Sequence, residues 1–448
     1  MIRHRVLFVF LVIWAVGTAS ARADWPEFRG PFGNGYVSAE GTGEPSGLPK
    51  TWSETENVRW KTAIHDRGWS TPVIMGGQIW LTTATEDGHD FYAVCVDEQS
   101  GKILHDLKLF HCDSPEPLGN TTNCYAAPSP AIEPGRVYVH FGSYGTACID
   151  TSTGEPIWKR DDLPCRHFRG PSSSVILFEN LVILTLDGVD QQYVTALDKA
   201  TGKTVWRTDR KVDWHDQDVT GKGAEEAKRI LGGDHRKAHS TPLVIKSPDG
   251  RLQMLSDGAK AAYAYDPRSG AELWRIEYDD FSVAPRPIYH GGIAYMVTGI
   301  THPELWAVRT DSTGNLSDSD NVLWRLKAHV PRTASPIFVE GLIYMVSDDG
   351  ILTCIDAAKG TTVWQKRVGG AFAASPIFAD GHVYLCDRDG QTTLFRPDRK
   401  YEVVATNTLD DGLMASPAVD GHALFLRTKA NLYRIEAAKN PPVSASAN

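Results

Sequence analysis

The sequence predicts an all-β fold: an eight-bladed β-propeller of four-stranded antiparallel blades, its ring closed by an N-terminal strand. Three observations lead there. First, a unit recurs along the 448-residue chain: a small residue, an Asp, a tight turn ending in Gly, and a Trp four residues later. Ala196–Trp206 and Ala264–Trp274 are its fullest copies. Asp150, Gly154 and Trp158 carry it, as do Asp356, Gly360 and Trp364. Asp97 and Gly101 place His105 at the Trp position, and Asp311 and Gly314 are followed by an insertion before Trp324. Second, a small residue and a proline open an apolar strand at Pro72, Pro130, Pro242, Pro287, Pro336, Pro376 and Pro417, with Val175 in the equivalent place of the third unit. These eight openings have a base period of 40–45 residues, the length of a four-stranded blade. Third, the two ends of the chain complement each other. Val58–Ile64 reads as a fourth strand without its sheet, and Met414–Val419, Ala423–Thr428 and Ala430–Glu436 read as three strands without a fourth. Joining them completes one sheet and leaves no open edge to pair with another molecule.

Taken in order, the chain opens with Arg3 and Arg5, an apolar run from Val6 to Val16 and the small-residue site Ala21-Arg22-Ala23. That pattern is a secretory signal peptide over residues 1–23, too short for a comfortable membrane span. The mature protein is expected to begin near Asp24, outside the cytoplasm. Residues 24–57 form a Gly/Pro-rich lead, D-W-P-E-F-R-G-P-F-G-N-G at its start, without strand alternation; it is expected to pack on the body as ordered loop. The propeller spans 58–437, and 438–448 is a tail expected to be disordered.

Within each blade, the Asp caps turn amides and the Gly supplies a positive φ. The Trp that follows is a docking residue between neighbouring blades. Trp60, Trp158, Trp206, Trp274, Trp324 and Trp364 fall in this one column, six of the 13 tryptophans. Two connections are long: His111–Tyr125, and Asp209–Ala238 with a short helix expected at Ala224–Leu231. Both join a fourth strand to the next first strand, so both decorate one face, here the top. Repeat proteins commonly bind on the face where insertions gather.

The chemistry-bearing residues divide as follows. A net charge of −9 argues against general nucleic-acid binding. Cys95, Cys148 and Cys354 stand where other units have Ala, so they are small packing residues, and Cys386 lies in a strand. Cys112, Cys124 and Cys165 fall in top connections. Cys112–Cys124 is the candidate disulfide in an oxidising compartment, with Cys165 the competing partner. His235 and His239 make H-x-x-x-H beside Asp234, but Ala238–Pro242 opens a strand, so the two imidazoles need not share a face; no metal site is assigned. Most loop carboxylates sit in Asp-Gly turns, and neither a G-x-S-x-G elbow nor a phosphate loop is present. The residues just before each first strand should ring the mouth of the central channel on the top face: Arg67, Trp69, Tyr125, Arg169, His239, Arg286, Arg332, Phe372 and Met414. Two readings stand side by side. The arginines bind an anion, such as an acidic glycan, a carboxylate-bearing small molecule or an acidic peptide loop, or they tie neighbouring blades through the Asp-Gly turns.

The A-x-D-x-x-x-G-x-x-x-W unit resembles the Trp-docking repeat of the quinoprotein, or PQQ-like, β-propellers, and the likeness covers Val58 to about Ala437. That group contains non-catalytic scaffolds of the BamB type, secreted bacterial PQQ-like proteins, and dehydrogenases using pyrroloquinoline quinone. For the enzymes, the resemblance implies adjacent cysteines beside the quinone and a calcium or lanthanide held by oxygen ligands. No two cysteines are adjacent here, and no carboxylate cluster maps onto that metal site. The sequence therefore points to an exported, monomeric, non-catalytic binding or scaffolding module of the cell envelope, needing no cofactor. Its partner is expected to be an envelope protein or an anionic small molecule or glycan. A pyrroloquinoline-quinone-dependent oxidoreductase with calcium is the alternative.

Overall fold

The computed structural model describes residues 24–38, 46–217 and 219–438. The expected signal peptide, and all of the expected tail except its first residue, lie outside the described residues. Eight antiparallel sheets follow one another, each with a short inner strand of three or four residues and longer strands outward. Blade 1 shows the pattern: Val73–Met75, Gln78–Ala84, Asp90–Asp97 and Ile103–His111, hydrogen-bonded in that order. The ring closes as the sequence implies. Val58–Ala63 pairs antiparallel with Asn431–Ile435, and the Ile64 and Glu436 amides donate to the carbonyls of Ala430 and Asn57, both at 2.9 Å. The fold is therefore an eight-bladed β-propeller.

Each recurring unit works as a dock. In blade 3 the Asp198 carboxylate accepts from the Thr201 amide at 2.9 Å, and Gly202 takes φ +69° to close the turn. This Gly carries the Trp of the preceding blade: a Cβ on Gly202 would stand 2.7 Å from the Trp158 ring, and one on Gly270 2.5 Å from that of Trp206. The indole N–H then donates across the interface. Trp60 reaches the Glu98 carbonyl at 3.0 Å, Trp158 that of Lys199 at 2.9 Å, Trp324 that of Ala357 at 3.0 Å and Trp364 that of Asp398 at 2.9 Å. Trp274 departs from the column. It is wholly buried and donates to Gln253 of its own blade at 2.8 Å. The insertion before Trp324 changes the edge here: Gly314–Asn315 adds a fifth strand, parallel to Glu272–Glu277 and in register with Trp274 and Arg275.

Cys95, Cys148 and Cys354 lie opposite His105, Trp158 and Trp364 across the outer strand pair and are fully buried, as packing residues should be. All seven cysteines stand as free thiols, Cys112 and Cys124 among them. Cys112 closes the outer strand of blade 1, its amide bonded to the His89 carbonyl at 2.8 Å. Cys124 is buried elsewhere, and burial pushes its thiol up to about 11.

The lead enters the central channel. Trp25 exchanges backbone hydrogen bonds with Ile74 of blade 1, the Pro26 carbonyl accepts from Ile132 of blade 2, and Gly35 accepts from Phe378 of blade 7. Between these anchors, Arg29 donates to the carbonyls of Asn34 and Pro336 at 2.7 and 2.9 Å. Further along, the Ser46 and Leu48 amides meet the Asp380 carboxylate, and the Trp52 amide donates to Asn407 at 2.9 Å. The lead thus bridges blades on opposite sides of the ring.

Candidate ligand-binding site at the channel mouth

The eight strand openings converge on a cavity of about 520 Å³. Chain alternation at each opening decides which residues face it. Three residues before the blade-opening proline, or before Val175 in blade 3, come Trp69, Ala127, Ser172, His239, Ala284, Thr333, Ala373 and Met414, and all eight line the cavity. One residue before it come Thr71, Ser129, Ser174, Thr241, Ser375 and Ser416, which also line it. The residue between points into the blade interfaces, as buried Ser70, Ala374 and Ala415 do. This is the period-two alternation of extended chain.

The hydroxyls form a belt. The Thr71 amide donates to the Ser129 hydroxyl at 2.8 Å, Ser129 to Ser174 and Ser174 to Thr241, both at 2.9 Å. On the other side Arg286 donates to Ser335, Ser335 to Ser375 and Ser375 to Ser416, each at 2.9 Å. Each bond ties one blade to the next. Each accepting hydroxyl keeps its own hydrogen to donate.

Above the belt the walls are cationic. Arg169, Arg229, Lys237 and Arg332 line the cavity, against two carboxylates, Asp234 and Asp348. Lys237 and Asp234 are ion-paired, and Arg169 stands 3.6 Å from the same carboxylate. Burial alone would raise the Asp234 carboxyl, but Lys237 and then Arg169 bring it below its ordinary value. Lys237 is nevertheless depressed, first by burial and further by Arg169 and Arg229. Asp234 opposes that depression from within the pair. Asp348 accepts from the Arg332 amide and the Thr333 hydroxyl, at 2.9 and 2.8 Å. Arg229 and Arg332 are exposed, and neither guanidinium makes an ion pair among the described residues. His239 faces the cavity but is enclosed by its walls, and burial holds it neutral, down to about 3. Phe281, stacked on His235 at 4.0 Å, Trp69 and Phe28 give the cavity apolar surfaces. Phe28 belongs to the lead, which therefore forms part of the cavity wall.

Of the residues expected at the mouth, Trp69, Arg169, His239, Arg332 and Met414 line the cavity. Arg67 stands on the rim, stacked over Trp69 at 5.0 Å and bonded to the Thr121 carbonyl at 3.1 Å. Three others are elsewhere. Tyr125 is buried between blades, against Phe91 and Tyr144, its hydroxyl on the Glu116 carbonyl at 2.8 Å. Phe372 is buried in the apolar core around Val346 and Leu352. Arg286 takes a hydroxyl-belt position but is buried, donating to the Phe28 carbonyl and pairing with Glu27 at 2.9 Å. It is the anchor of the lead. Arg229, Lys237, Asp234, Phe281 and Asp348 were not expected; three of them lie in the second insertion. The belt had a visible signal, the Ser or Thr before the prolines.

The fold and its docking repeat define the class of protein, a PQQ-like β-propeller. The chain belongs to the family described as outer membrane protein assembly factor BamB, matched over residues 28–162, 190–317 and 313–401. No curated protein sequence matches it. Among solved structures it is similar to BamB from Moraxella catarrhalis, at 12% identity and TM-score 0.56, covering 84% of this chain and 99% of that one. It is also similar to quinohemoprotein alcohol dehydrogenase from Comamonas testosteroni, at 13% identity and TM-score 0.63, covering 94% and 82%. A europium-containing methanol dehydrogenase gives 12% identity and TM-score 0.62, covering 91% and 90%. At these identities the likeness shows the fold.

Proposed function

We propose that the protein is an exported, non-catalytic binding module of the cell envelope whose channel mouth holds an anionic partner. The observation that carries this reading is the cavity with four cations on its walls, in a chain of net charge −9. It lies beside both long insertions, and buried walls strengthen the field of such charges. The signal-peptide pattern of residues 1–23 and the family's description support placement in the envelope. The test is capture from envelope extracts by the immobilised mature chain, beside an Arg229→Glu, Arg332→Glu variant. A partner or small acidic molecule retained by the wild type and lost from the variant supports the reading; equal retention by both contradicts it.

A second reading, a pyrroloquinoline-quinone oxidoreductase, draws on the similarity to the two dehydrogenases. Dye-linked alcohol oxidation by the pure protein, after addition of quinone and calcium, would establish it and displace the first.

A further inference from the structure

The quinone enzymes that this chain resembles pair their cofactor with a metal cation, and such a cation requires several oxygen ligands turned to one point. The walls of this cavity are built for the opposite charge. Its carboxylates are Asp234, spent on Lys237 and Arg169, and Asp348, spent on the Arg332 amide and the Thr333 hydroxyl. Four side-chain cations face these two acids. A divalent ion entering here meets an excess of positive charge and a belt whose hydroxyls have already accepted one backbone hydrogen bond each.

We propose that the cavity takes a small organic anion with two or more carboxylates and no metal ion, its charge met by Arg169, Arg229 and Lys237 on one side and Arg332 on another. This rests on the reading of the mouth as the binding site and narrows it. The cations come from separate connections, those before blades 3 and 4 and that before blade 6, so one ligand with acidic groups at two ends engages both. The body of the ligand lies between them, where Trp69 and Phe28 offer apolar faces and the belt offers O–H donors. A volume of about 520 Å³ suits a small molecule. Arg332 and Arg229 keep their guanidinium donors available for the fork-like pairing that carboxylates accept.

The experiment is isothermal titration of the mature chain with two planar tricarboxylates, benzene-1,3,5-tricarboxylate and pyrroloquinoline quinone, each in EDTA and in calcium. The expected result is saturable binding, equally strong in both buffers and weakening as salt rises. Arg332→Ala and Arg229→Ala should each weaken it roughly ten- to a hundredfold, with unchanged melting temperature because both side chains are exposed. Binding that requires calcium overturns the proposal while leaving the mouth as a site. Binding in EDTA that both variants retain overturns it as well. So does failure of either probe to bind; if charge reversal at the same residues still abolishes capture from envelope extracts, the mouth reading survives that failure, and otherwise both fall.

Discussion

Truncating Trp206 to Ala tests the docking architecture at its best-buried interblade copy. The indole is 9% exposed, lies on Gly270 of the next blade and donates to the Pro267 carbonyl at 3.2 Å. An indole buries about 150–250 Å², or about 4–6 kcal/mol gross at 25 cal/mol per Å². The unfolded chain already hides part of that area, which lowers the figure. The cavity left behind and the orphaned Pro267 carbonyl raise it. Gly270 holds φ +70°, and the turn it closes is fixed by its own hydrogen bonds, so the next blade has little freedom to collapse into the gap. The expected cost is about 3–5 kcal/mol, read as a lower urea midpoint with an unchanged slope. Trp214→Ala, in the second insertion and partly exposed, is the control and should cost far less. Equal losses at the two sites would refute interblade docking as the role of the column.

Three further outcomes are expected. Glu27→Ala leaves Arg286 buried and uncompensated beside Arg29, so it should cost about 3–5 kcal/mol in a denaturant titration; a loss below about 0.5 kcal/mol would remove the lead from the stability of the ring. Burial holds His140 down to about 3 and His167 to about 4, against 6.5 when unfolded. Their contribution is fully present above pH 6.5 and falls as the unfolded chain gains protons below it, by about 1.4 kcal/mol per pH unit for each; substituting either residue by Gln should flatten the stability–pH curve between 6.5 and 4, and an unchanged slope would count against the assignment. Cys95, Cys148 and Cys354 should resist alkylation in the native protein while the partly exposed Cys112 reacts, with no disulfide-linked peptide on mass mapping; rapid labelling of all four would contradict the packing roles.

The blades and their closure were legible because each copy of the unit repeats the same local physics. An Asp-capped turn, a Gly at positive φ and a Trp on the outer strand recur at fixed spacing, and Val58–Ile64 has an apparent partner only at the far end. The Trp274 exception was not legible, because the strand that pairs beside it comes from an insertion with no counterpart in other units. The mouth was half legible. A shift of one residue along extended chain turns a side chain from the channel to the blade interface, which is why Ala373 faces the cavity and Phe372 the core. Arg286 and Arg332 read alike as arginines ahead of a strand. Arg286 stands one residue before its proline and Arg332 four before its own, so the first is buried against Glu27 and the second stays exposed on the cavity wall. Lys237, Arg229 and Asp234 depend on how a 30-residue insertion folds back over the mouth, and nothing periodic in the sequence records that.

The central claim is that the channel mouth holds an anion, and the most direct test is a thermal-shift screen of organic anions against the wild type and an Arg169→Ala, Arg332→Ala variant. The account predicts that at least one anion stabilises the wild type, by about 2.7 kcal/mol at a hundred times its Kd. The variant should lose that response while its own melting temperature changes little. A wild type that responds to no anion, together with a large fall in the variant's own melting temperature, would show that these arginines hold the blades together and bind nothing.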